Sequence, residues 1–222
     1  MRLAVVFVKG PQVRFVSHLD VQRLFQRAFR RAKLPLAYSQ GFNPHPLISF
    51  ATALSVGMTS RSEYLDVTLT ERMEPEAFIK AVSPCLPEGV EIKEAFDMGE
   101  SRKSLTSAMR TASYRAYVNF ETEQSRESIE SAAAKLMAGE IVVQKKTKGG
   151  IKPVDIRPMA LELRLDELEG NRAVFFIKGV LSAEGGLNPD VLLNELFARN
   201  GIAADNETER LEIEMDRSAL LN

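Results

Sequence analysis

The chain has 222 residues, enough for one large or two small domains, and its 45% hydrophobic and 27% charged composition is that of a folded protein with a buried core. A single cysteine, Cys85, excludes an internal disulfide, a cysteine-ligated zinc site and an Fe–S cluster held by this chain alone, and with only His18 and His45 a multi-histidine metal site is not expected. The net charge of −1 conceals four alternating blocks, +7 over residues 1–50, −6 over 51–100, +5 over 101–160 and −7 over 161–222, a segregation that places positive surface on an otherwise acidic protein.

No run approaches the ~18 apolar residues of a membrane span, and the apolar start is closed at Lys9-Gly10-Pro11, so residues 3–9 are read as a first strand, not a leader, in a reducing, cytoplasmic protein. Ser17-His18-Leu19-Asp20 fits a helix-opening capping box. Val21, Leu24, Phe25, Ala28, Phe29 and Ala32 then follow helical spacing on one face, and Pro35 closes the segment. Arg23, Arg27, Arg30 and Arg31 fall on the opposite face, within about 100° of arc. In the loop Tyr38-Ser39-Gln40-Gly41-Phe42-Asn43-Pro44-His45-Pro46, two prolines bar a helix and Gly41 permits an unusual backbone turn. Leu47 to Leu54 and Glu63 to Leu69 are predicted strands of a hairpin, Pro75 opens a short helix with Phe78, Ile79 and Val82 inward, and Val90 to Phe96 is a further strand.

Residues 98–113 are polar and small and are predicted to be a linker between a domain at 1–97 and another at 114–222. After it the pattern restarts: a strand from Tyr114 to Phe120, a helix from Ser125 to Met137, a hairpin pairing Ala160 to Leu165 with Arg172 to Leu181, a helix from Val191 to Ala198 and a strand from Arg210 to Met215. An insertion at 141–158 is predicted to be a basic β-ribbon around Lys148-Gly149-Gly150. The expected class is therefore α+β, with tandem ferredoxin-like βαββαβ domains, antiparallel sheets and the ribbon inserted in the second.

Two sets of cations are candidates for phosphate contact: Arg23, Arg27, Arg30, Arg31 and Lys33 on the first helix, and Lys145, Lys146, Lys148, Lys152 and Arg157 on the ribbon. Together they would cradle RNA through its backbone, since the aromatic signature of an RNA-recognition motif is absent. His18 and His45, with Tyr38, are the candidate acid–base groups for metal-free RNA cleavage; set against this, His18 serves a helix cap and His45 is clamped between Pro44 and Pro46. Cys85 is expected to be a small core residue.

Phe15-Val16-Ser17-His18-Leu19-Asp20, the run from Arg27 to Pro35, the loop from Tyr38 to Pro46, Glu63-Tyr64-Leu65-Asp66, Lys145 to Gly150 and Val154 to Pro158 together resemble the bacterial radical SAM-linked protein family. That resemblance implies a radical S-adenosylmethionine protein as partner. The partner would carry the Fe–S cluster and S-adenosylmethionine, because this chain has too few cysteines to hold the cluster and no cofactor of its own. The chain would then recognise or present a substrate, tRNA, rRNA or a ribosomal protein. The tandem order is also similar to Cas6-like CRISPR RNA endonucleases, whose glycine-rich loop has only Gly185-Gly186 in its place here. A metal-independent endoribonuclease is the alternative, and a protein–protein scaffold the third.

Overall fold

Leu3-Ala4-Val5-Val6-Phe7 is an unbroken apolar run, and all five side chains are buried in the computed structural model, which describes residues 1–99, 101, 103–147 and 150–221. A strand buried on both faces needs a covered sheet, and the run forms β1 (Arg2–Lys9) at its centre. The chain continues through α1 (His18–Arg31), β2 (Ile48–Phe50), β3 (Thr59–Thr68), α2 (Pro75–Val82) and β4 (Val90–Asp97). β1 pairs antiparallel with both β3 and β4, and β2 pairs antiparallel with β3. Phe25 and Phe29 of α1 and Phe78 of α2 are fully buried with Leu3, Val5 and Phe7, their rings meeting at 4.7–5.7 Å. Each such aromatic contributes roughly 1.5–3 kcal/mol by leaving water.

The next elements are α3 (Leu105–Ala108), β5 (Met109–Phe120), α4 (Arg126–Ala138), β6 (Val142–Thr147), β7 (Gly150–Asp155), β8 (Ala160–Glu169), β9 (Arg172–Ser182), the two-residue β10 (Gly185–Gly186), α5 (Pro189–Arg199), β11 (Ala204–Met215) and α6 (Ser218–Leu221). The described residues form two compact units, residues 1–109 with 212–222, and residues 110–211. In the second, β9 lies between β5 and β8, β5 neighbours β11, and β6–β7 is a separate two-stranded sheet. The β5–β9, β8–β9 and β6–β7 pairings are antiparallel, so the protein is mixed α/β with a mostly antiparallel sheet. Phe197 of α5 meets the rings of Phe120 and Phe175 edge-on at 5.8 and 6.3 Å. Gly179 lets Leu187 lie flat on β9, where a Cβ would stand 2.5 Å from it.

Several elements differ from the sequence expectation. Residues 98–113 hold α3 and the start of β5, and Met98, Leu105, Ala108 and Met109 are buried, too thinly spaced in the sequence to form a period. β2 is three residues long, not eight, and β3 begins at Thr59. β11 begins at Ala204 because its inward positions are polar: Thr208 and Asn206 both donate to Asp190 Oδ1, at 2.6 and 2.8 Å, and Arg210 lies over the Tyr114 ring. Residues 212–222 belong to the first unit, where Arg217 makes a two-pronged ion pair with Glu94 at 2.8–2.9 Å and stacks on Phe96.

Candidate nucleic-acid interface

Helix α1 opens as its cap residues dictate. Ser17 Oγ accepts from Asp20 N at 3.2 Å and donates to Asp20 Oδ2 at 2.7 Å, and Arg23 reaches Asp20 Oδ1 at 2.9 Å. The Ser17 and Arg23 hydrogen bonds hold the Asp20 carboxyl below the usual carboxylate range. With Phe25, Ala28 and Phe29 locked in the core, the opposite face has one orientation, and Arg23, Arg27, Arg30 and Arg31 stand on it. Arg23 and Arg31 are exposed there. Arg27 and Arg30 make no hydrogen bond or ion pair among the described residues. Asp20, Arg23, Leu24, Arg27, Arg31 and Pro87 line an open groove of about 440 Å³, and Arg31 is steadied there by the Cys85 carbonyl. Cys85 itself is half-buried in a single 3₁₀ turn, Ser83–Cys85.

Lys33, exposed beyond the helix end, holds φ +53 in the left-handed region that glycine favours, while Lys33 N and Leu34 N cap the Arg30 and Phe29 carbonyls. The Tyr38–Pro46 loop follows. Ser39 and His45 share three hydrogen bonds, Ser39 N to His45 O (2.9 Å), His45 N to Ser39 Oγ (3.1 Å) and Ser39 Oγ with His45 Nδ1 (2.9 Å), while Tyr38 bridges Pro46. Pro46 is buried and Ser39 half-buried, whereas Gly41, Phe42, Asn43, Pro44 and His45 are exposed.

His18 is elsewhere. It sits in the first turn of α1 with its ring edge-on to Phe50 at 5.5 Å and bonded to Gln22 at 3.0 Å, and no hydrogen bond or ring contact joins it to Tyr38 or His45 among the described residues. Its neighbours are two residues that sequence reasoning missed, Lys9 and Glu63, both buried within strands. With Phe7, Thr52, Leu54 and others they line a small, partly open pocket of about 20 Å³, roughly the size for one water. Lys9 Nζ donates to the Arg14 and Met58 carbonyls at 2.9 and 3.4 Å. Burial holds the Lys9 amine and the His18 imidazole below their ordinary values; Glu63 opposes this in both, and Lys9 adds to it at His18. A charged residue inside an apolar strand is the signal that could have pointed to Lys9.

The β6–β7 ribbon lies where the sequence places it. Lys145, Lys146 and Lys152 are exposed, Lys145 stands directly across from Lys152, and Lys148 lies outside the described residues. Arg157 is not part of that exposed set. It is half-buried and donates to the Met137 and Ala160 carbonyls, bracing the ribbon's foot, while Asp155 accepts from Ile141 N and Arg157 N. Among the described residues there is no group of three or more His, Cys, Asp or Glu side chains that would hold a metal, and no helix is long and apolar enough to cross a membrane.

The family model described as "Uncharacterized protein conserved in bacteria (DUF2344)" matches residues 2–189. No curated protein matches the sequence. Among solved structures, similar chains occur in a Cbf5–Nop10–Gar1 complex (12% identity, TM-score 0.51), in an H/ACA RNP bound to a substrate RNA containing 2'-deoxyuridine (12%, 0.55) and in the archaeal box H/ACA sRNP Nop10–Cbf5 complex (10%, 0.50). The match covers 94%, 95% and 97% of this chain but 48%, 47% and 52% of those, so the chain spans about half their length. At this identity the likeness is one of fold, and two of the three structures are described as an RNP and an sRNP.

Proposed function

Because the chain belongs to this uncharacterized bacterial family, we propose its function from its geometry: it is a non-catalytic RNA-binding protein that grips the phosphate backbone with the arginine face of α1. The observation that carries this is the groove on that face, where Arg23, Arg27 and Arg31 converge with a single acid, Asp20, already bonded to Ser17 and Arg23. Guanidinium groups fixed by a buried helix suit phosphate oxygens, which need planar donors and little sequence information. The fold shared with chains found in an H/ACA RNP and a box H/ACA sRNP accords with it. Lys145, Lys146 and Lys152 on the ribbon add a second, independent set of phosphate contacts.

The strand order β2–β3–β1–β4 in one unit and β8–β9–β5–β11 in the other supports reading the chain as two βαββαβ repeats, a frame that leaves helix faces free for such contacts. The resemblance to radical SAM-linked proteins supplies the partner in this reading, a radical S-adenosylmethionine enzyme with its own Fe–S cluster, to which this chain presents tRNA or rRNA. Replacing Arg23, Arg27, Arg30 and Arg31 together with alanine is the test. RNA affinity should collapse and its log–log salt dependence should flatten by about 3–4, near one per lost phosphate contact. Unchanged affinity and slope would sink the proposal.

A further inference from the structure

Phe42 is the most exposed large apolar side chain among the described residues, at 112% of its reference accessibility. A lone exposed ring is ordinary on a floppy loop, but this loop is stiff. Three Ser39–His45 hydrogen bonds and the Tyr38–Pro46 bridge close its foot, Leu47 N donates to Ala37 O just below, and Pro44 and Pro46 fix two backbone angles. Gly41, at φ +125, turns the chain at the tip and aims the next residue outward. A ring on a braced finger loses little freedom when it meets a partner.

The surroundings select the partner. Between Asp20 and Glu63 the chain has no acidic residue, and this stretch holds both the arginine helix and the loop. Phe42 is followed on the loop by exposed Asn43, whose amide both donates and accepts hydrogen bonds as base edges do. One ring projecting beyond its loop, with only Tyr38 and Leu47 partly exposed at the foot, buries too little apolar area to dock a protein, while it matches the face of a base, which stacks on an aromatic whatever its sequence. Resting on the RNA reading above, we infer that Phe42 is a stacking platform for an unpaired nucleobase, and that the RNA bound by this protein is single-stranded or looped out at that point.

The protein has no tryptophan, so Phe42→Trp creates a single reporter in the full chain. The probes are a mixed-sequence single-stranded RNA of roughly 12 nucleotides, a usual site size, the same RNA annealed to its complement, and phosphatidylserine vesicles. The single strand should quench the indole emission of that variant, and the duplex and vesicles should not. Phe42→Ala should bind the single strand about 5- to 150-fold more weakly with duplex affinity unchanged, and Phe42→Tyr should keep most of the affinity. Wild-type binding to both RNAs with no effect of Phe42→Ala overturns the stacking inference and leaves the arginine face standing. Quenching by vesicles alone also overturns it. Failure of the wild type to bind either RNA removes the RNA reading itself.

Discussion

The arginine face of α1 and the β6–β7 ribbon carry charge of the same sign on unlike supports. On α1 the guanidinium groups stand on a helix whose other side is Phe25, Ala28 and Phe29, all fully buried, so their spacing is set by the core. On the ribbon, Lys145 and Lys152 face each other across a two-stranded sheet with Ile151 70% exposed, and its foot is tied down by Asp155 and Arg157. Like charges directly opposed across strands are destabilising, and so are the i, i+4 pairs Arg23/Arg27 and Arg27/Arg31 on the helix, but on α1 the buried aromatic face holds the array in place against that repulsion, whereas the ribbon has only its foot. A fixed arginine array suits a backbone of set geometry, whereas a self-repelling ribbon adapts to its anion and gains most from neutralisation.

The largest expected effect breaks the helix side of that contrast. Phe29→Ala removes a ring packed on Phe25 at 5.7 Å and Phe78 at 5.5 Å, and should cost about 3–5 kcal/mol, read as a lower denaturant midpoint. RNA binding should fail at temperatures where the ribbon's hydrogen-exchange protection is unchanged. Binding that survives in a molecule with α1 melted would move the interface to the ribbon.

Helix α1 was legible because every local rule agrees there: Ser17 and Asp20 at the cap, an apolar stripe at helical spacing, and Pro35 beyond the end. The ribbon was legible from two β-rich runs around glycine. The buried Lys9–Glu63–His18 cluster was not, because charged residues in a strand read as surface until tertiary packing brings them together. The first half of β11 was hidden for a related reason, since Asn206, Thr208 and Arg210 alternate inward as polar residues, the first two bonded to Asp190 and the third lying over the Tyr114 ring. Phe42 stood inside a recognisable loop, but its exposure was a property of the folded finger.

A smaller effect tests whether the helix side gives up stability for charge. Lys33 holds a left-handed backbone that costs a side chain with a Cβ about 1 kcal/mol. Lys33→Gly should therefore raise the unfolding free energy by about 1 kcal/mol and weaken RNA binding, with about one unit less salt dependence. Lys33→Arg keeps the strain and should keep the affinity. A glycine variant that is more stable and binds as well would remove Lys33 from the interface.

On the ribbon the trade runs through pairing. Lys152→Glu turns the Lys145–Lys152 opposition into an attractive pair, which should strengthen the ribbon by about 0.2–1 kcal/mol, seen as slower amide exchange in β6 and β7. RNA affinity should move the other way. If exchange slows and affinity stays constant, the ribbon's charge serves something other than RNA.

The smallest expected effect separates the two surfaces by pH. Burial holds His18 below its ordinary value, more strongly than Glu63 raises it, so the unfolded chain takes up the imidazole proton more readily than the folded one. Stability from this group is therefore complete above the ordinary value of about 6.5 and is lost as the pH falls through and below it. The ribbon holds no histidine, and its Asp155 is kept below the usual carboxylate range by Arg157 N and Ile141 N, so it titrates only in more acid solution. Between about pH 7 and 5.5, exchange protection in the first turn of α1 should fall while that of the ribbon holds. In His18→Gln the pH dependence at α1 should flatten. A pH dependence unchanged in that variant would mean that His18 is not the group that titrates.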